Sequence, residues 1–121
     1  MPRLIQRIGE QFHLRQVKHA RTFGQRFMGL MGVSPGSYDY ALVFHLHTPG
    51  KINASIHMLF MRFPIDVLFL DARQQVVDAV ESLPPWTLNY TPKKDAAYIV
   101  ELPAGTIAKH HITLHTPIRW T

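Results

Sequence analysis

The sequence predicts a mostly-β fold: a single-domain, jelly-roll-like β-sandwich or barrel of six to eight short strands, with one short helix near residues 22–31. Three observations predict it. Nine prolines and seven glycines cut the 121 residues into short pieces, which suits strands better than long helices. Several of those pieces alternate apolar and polar residues with the period of two that a half-buried strand requires. Only one segment carries convincing helical spacing.

The elements follow in chain order. Residues 11–18 alternate partially, through Phe12 and Leu14 with a lapse at Gln16, and read as a strand. Thr22 is placed to cap a helix in which Phe23, Phe27, Leu30 and Met31 recur at helical spacing, and Gly32 is placed to end it. From Tyr40 to His47, Leu42, Phe44 and Leu46 alternate with Val43, His45 and His47, a strand with two distinct faces. Thr48–Lys51 is a turn. Ile56–Phe63 and Val67–Leu70 are dense in apolar and β-branched or aromatic residues, split by Pro64, and both read as strands. Asp71–Gln75 joins Val67–Leu70 to Val76–Glu81 as a hairpin, and 82–95 is a loop. Ala96–Leu102 is a further strand, Thr106–His110 one helical turn, and Thr113–Trp120 a last strand that Pro117 confines to an edge.

The chain carries a formal net charge of +5. The excess sits entirely in residues 1–26, where Arg3, Arg7, Arg15, Lys18, Arg21 and Arg26 face only Glu10; the remainder balances. The expected organisation is one domain over 1–121 with a basic amino-terminal flank, residues 1–11. That flank is too thin an electrostatic footprint, and too poor in interleaved aromatics, for nucleic acid to be the expected partner. There is no cysteine, which excludes disulfides, thiolate metal sites and cysteine nucleophiles. No apolar run approaches the roughly 20 residues of a membrane-spanning helix, and the amino terminus lacks the apolar core of a secretory signal. A cytoplasmic protein without a membrane partner is expected.

Chemistry-bearing patterns are few. His45-x-His47 on a strand points both imidazoles to one face, while His110, His111 and His115 cluster near the carboxyl end; without further ligands in sequence reach, these read as solvated or hydrogen-bonded histidines. No Gly-x-Ser-x-Gly elbow and no phosphate-cradling loop is present. Neither a metal nor a cofactor is expected. The informative residues are Asp66 and Glu101, carboxylates embedded in the apolar stretches Ile56–Asp71 and Ile99–Pro103. An ionised carboxylate buried there must find donors or hold its proton. Two readings stay open. In one, Arg21, His57, Asp66 and Glu101 converge on a cleft that binds a polar ligand or does acid–base chemistry. In the other, Asp66 caps a turn and Glu101 pairs with an arginine.

Several segments occur together in a recognisable order: Ala20-Arg21-Thr22 through Arg26, Gly29-Leu30-Met31-Gly32, Ala41–Phe44, Ser55-Ile56-His57, Phe60–Val67, Phe69-Leu70-Asp71, Val76-Val77 and Glu101–Thr106. Over about residues 12–116 the chain resembles domain-of-unknown-function family 192 of bacteria and archaea. The resemblance implies a compact, mostly-β domain like a jelly-roll sandwich, and no established activity, substrate or cofactor. The family usually places a Gly-Asp turn before the last strand. Here His115-Thr116-Pro117 stands there, so the carboxyl-end histidines are a local feature. The expected function is a non-catalytic binding module for a polar small molecule or glycan. A small hydrolase or lyase using His57 with a carboxylate, and weak nucleic-acid binding through residues 1–26, are the alternatives.

Overall fold

Alternation at Leu42, Phe44 and Leu46 translates into the longest strand of the molecule in a computed structural model, which describes residues 4–22 and 29–120. Eight strands are present among the described residues: β1 (Ile5–Ile8), β2 (Gln11–Leu14), β3 (Val17–Ala20), β4 (Ala41–Gly50), β5 (Ile65–Leu70), β6 (Val76–Leu83), β7 (Ala96–Pro103) and β8 (Ile118–Trp120). One short helix, α1 (Thr106–His110), lies between β7 and β8. The strands form a five-stranded sheet in the order β3-β4-β7-β5-β6 and a three-stranded sheet in the order β1-β2-β8. This is a sandwich-like β fold without a closed barrel.

The large sheet is buried on both faces. On one face, Leu42, Phe44, Val67, Phe69 and Ile99 pack against Leu30, Tyr38, Ala54, Ile56, Met58 and Met61 from the connecting segments. On the other, Val43, Leu68, Leu70, Val100 and Leu102 meet Ile5, Phe12, Leu14 and Ile118 of the small sheet, with Ile107 and Ile112 from around α1. Burial on both sides explains why β5 is apolar at five of its six positions: neither face reaches water.

Several expectations change. Most of the helix expected near 22–31 lies outside the described residues, and the described Gly29–Gly32 forms turns. Residues 1–11, expected as a flank, include β1, whose Ile5 is 1% exposed in the core; β1 pairs antiparallel with β2. The single strand expected over 11–18 divides at Arg15–Gln16. β2 joins the small sheet, while β3 pairs parallel with β4 in the large one. Ile56–Phe63 is not a strand. A single bridge joins Ile56 to Tyr90, and Phe60 turns the backbone to a φ of 61°. Its apolar density comes from roofing the sheet, with Ile56, Met58 and Met61 buried, and not from strand pairing. The final strand shortens to Ile118–Trp120, an edge strand parallel to β2.

Candidate functional site

Glu101 lies on β7, the middle strand of the large sheet, opposite Leu42 on β4 and Val67 on β5. Its side chain therefore stands in the centre of one sheet face with an apolar neighbour on either side. It is 5% exposed, and that remnant opens into a pocket of about 420 Å³. The buried inner wall is made by Phe44 and Ile99 from the strands and by Leu30, Ile56 and Met61 from the overlying segments. The mouth is polar: His47, Thr48 and Asn53 are exposed, and Ser55 and His57 are half-buried. Dimensions and lining match a small-molecule pocket, apolar with a few placed polar groups.

Among the described residues, the Glu101 carboxylate meets no hydrogen-bond donor or cation. Burial in this apolar setting pushes its carboxyl up to about 8 from the ordinary 4.5. With its carboxyl so raised, the group holds its proton at neutral pH and is able to donate a hydrogen bond to an occupant instead of presenting a bare charge. Tyr38 lies within its electrostatic reach. That phenol is stacked on Phe63 at 5.2 Å, and its buried hydroxyl has no hydrogen-bond partner among the described residues. Burial and the nearby Glu101 charge raise its titration far above the ordinary tyrosine range.

His57 projects from the segment that roofs the sheet. Its Nδ1 accepts the Leu59 N–H at 3.2 Å, so in the neutral ring the proton sits on Nε2. His45 and His47, expected on one face, separate. The register shift in β4 after His45 turns His47 to the pocket mouth. His45 instead meets His19 at 2.7 Å between Nε2 and Nδ1, beside Trp120 and Tyr98. Burial, and then Arg21, lowers the titration of both rings. Arg21 thus acts on the His19–His45 pair and is not part of the pocket lining.

Asp66 is elsewhere. Strand alternation puts it on the opposite sheet face from Val67, and hence from Glu101. It is fully buried, with both oxygens engaged. Ser82 N–H donates to Oδ1 at 2.9 Å, and Ile107 N–H donates to Oδ2 at 2.8 Å. The first bond satisfies an amide at a bulge, where β6 carries one extra residue between the pairs Ile65–Leu83 and Val67–Val80. The second caps α1, whose own N-cap residue, Gly105, has no side chain to do so. Of the four residues expected to converge, the structure brings together His57 and Glu101.

The sequence reading passed over Asp78, a third buried carboxylate. Its Oδ2 accepts from the Tyr90 hydroxyl at 2.8 Å and from Lys93 N–H at 3.1 Å. Tyr90 in turn stacks on Phe69 and exchanges backbone hydrogen bonds with Ile56, a pocket wall. The signal was present: an acidic residue inside the apolar run Val76–Val80, the same pattern as Asp66. Burial and the bond to Asp78 push the Tyr90 phenol up to about 12. Tyr90→Phe is expected to lower stability by about 1 kcal/mol in urea unfolding while keeping the ring stacking. An unchanged midpoint would show that the bond contributes nothing.

No three His, Cys, Asp or Glu side chains converge among the described residues, and none of the described helices is long and apolar enough to cross a membrane. The model of domain-of-unknown-function family 192, described as "Uncharacterized ACR", matches residues 4–120. The UPF0127 protein of Thermococcus sibiricus is 46% identical over 105 residues, 87% of this chain and 66% of its own length. The chain thus spans a little under two thirds of that relative. The UPF0127 protein of Pyrococcus furiosus is 43% identical over 105 residues, 87% of this chain and 86% of its own. A Novosphingobium aromaticivorans protein of unknown function, solved by crystallography, is similar with a TM-score of 0.77 and 18% identity, covering 88% of this chain and 76% of its own. At that identity the likeness concerns the fold alone.

Proposed function

Since the chain belongs to domain-of-unknown-function family 192, a family described only as uncharacterised, we propose a function from its pocket: a non-catalytic binding module for a polar small molecule or a glycan unit. Glu101 and His57 are the recognition groups. The observation that carries this reading is the Glu101 carboxyl, set in an apolar pocket wall without a donor among the described residues and facing the pocket space. A structural carboxylate such as Asp66 or Asp78 has its oxygens occupied; Glu101 keeps its hydrogen-bonding capacity for something else. Asp66 and Arg21 fall outside the proposed recognition set.

A second reading has one observation in its favour. His57 and Glu101 line the same pocket, the arrangement an acid–base pair requires. Turnover of a bound ligand that is abolished by both His57→Gln and Glu101→Gln would favour a hydrolase or lyase over a binding module.

The binding reading is tested by thermal-shift and NMR screening of small sugars, alcohols, amines and carboxylic acids against the whole chain. At least one class is expected to raise the melting temperature of the wild type and to move pocket resonances, with both effects weakened in Glu101→Gln. If no class shifts the wild type, and Glu101→Gln alters stability alone, the binding reading fails.

A further inference from the structure

Resting on that reading of the pocket, we propose that its occupant is a small organic cation: an ammonium-bearing molecule with an apolar body, its charge set against Glu101 and its body against Phe44, Leu30 and Met61. Among the described lining residues, Glu101 is the only Asp, Glu, Lys or Arg. An anion would be repelled as soon as the carboxyl ionised. A neutral ligand would leave the carboxyl in its protonated form and gain nothing from its charge. A cation supplies the missing partner and turns that cost into an attraction of the kind that is strongest away from water.

The walls agree with this. Phe44 lines the pocket with an aromatic ring, a group that attracts ammonium ions, and Met31 and Met61 add polarisable thioethers. The titratable groups around the carboxyl do not compete for it. Tyr38 and Tyr40, both just before β4, feel its charge and are held in the neutral phenol form by burial. His47 from β4 and His57 from the roofing segment stand at the mouth. On β5 the facing residue is Val67, while Asp66 points to the other side of the sheet. Lys18 of β3 is exposed, its Nζ 4.1 Å from the Tyr40 ring centroid.

The test uses the full chain with three probes that share a benzyl or phenyl body: benzyltrimethylammonium, whose charge does not titrate, benzyl alcohol and benzoate. Binding is read from pocket chemical shifts at about pH 7 and about pH 9. The ammonium probe is expected to bind about tenfold more tightly at the higher pH, as the carboxyl passes from about one tenth to about nine tenths ionised. Glu101→Gln, checked for folding by its spectrum, is expected to lose both the tight binding and its pH dependence. Benzoate is expected not to bind. If benzyl alcohol binds as tightly as the ammonium, or if pH and Glu101→Gln leave ammonium binding unchanged, the cation is overturned and the pocket remains a binding site for neutral molecules. If none of the three moves a pocket resonance, the cation is overturned. The broader screen then decides whether the pocket binds anything.

Discussion

Glu101→Gln is expected to be more stable than the wild type at about pH 9, by a few kcal/mol, and equal to it at about pH 4. The carboxyl titrates near 8 in the folded chain and near 4.5 when exposed. Between those values the folded state keeps a proton that the unfolded state has released. The stability contributed by the protonated side chain is therefore complete below about 4.5 and is lost as the pH rises through 8. Glutamine removes the titrating group while keeping the shape and a hydrogen-bond donor. Urea unfolding across this range should show a decline in the wild type that is absent in the variant. Parallel curves would mean that the carboxyl is solvated or paired, and the pocket would lose its distinguishing group. A residue that costs stability at alkaline pH and lines a pocket fits a recognition role better than an architectural one.

The opposite outcome is expected at Asp66. Asp66→Ala orphans two amide N–H groups, Ser82 at the β6 bulge and Ile107 in the first turn of α1, and is expected to cost about 3 kcal/mol or more. Asp66→Asn keeps one acceptor oxygen but sets an NH₂ group against the other amide, for a loss of about 2 kcal/mol. Hydrogen exchange should quicken at Ser82 and Ile107 in both variants, because those are the donors released. Pocket chemical shifts should hardly move, since Asp66 lies across the sheet from Glu101. A pocket-wide perturbation on Asp66→Asn with stability intact would contradict this separation of roles.

The contrast between these two carboxylates shows what the sequence could and could not disclose. That Asp66 and Glu101 sit in apolar strands was legible from composition alone, because charges are rare where both neighbours are buried. That they serve different faces was not legible. Facing is set by inter-strand register, and the pairing of Glu101 with Val67 puts Asp66 on the far side of the sheet. A shift of one residue would have united them. The pattern of alternation in β4 and of apolar, β-branched density in β5, β6 and β7 located those strands closely. It failed at Ile56–Phe63, where the same apolar density covers a sheet face, and at Ile5–Ile8, where a basic setting obscured a strand whose Ile5 enters the core. The polar mouth of the pocket was also hidden. His47 reaches it through a register shift between His45 and Gly50, where Pro49 marks an irregular strand without fixing which side chains turn inward.

The most direct measurement of the central claim is a carbon-13 NMR titration of the glutamate carboxyls in the unliganded chain, with the Glu101 signal identified by its disappearance in Glu101→Gln. A midpoint near 8 is predicted, because this carboxyl sits in an apolar pocket wall and meets no cation among the described residues. A midpoint near the ordinary 4.5 would contradict the account, because Glu101 would then be hydrated or already partnered.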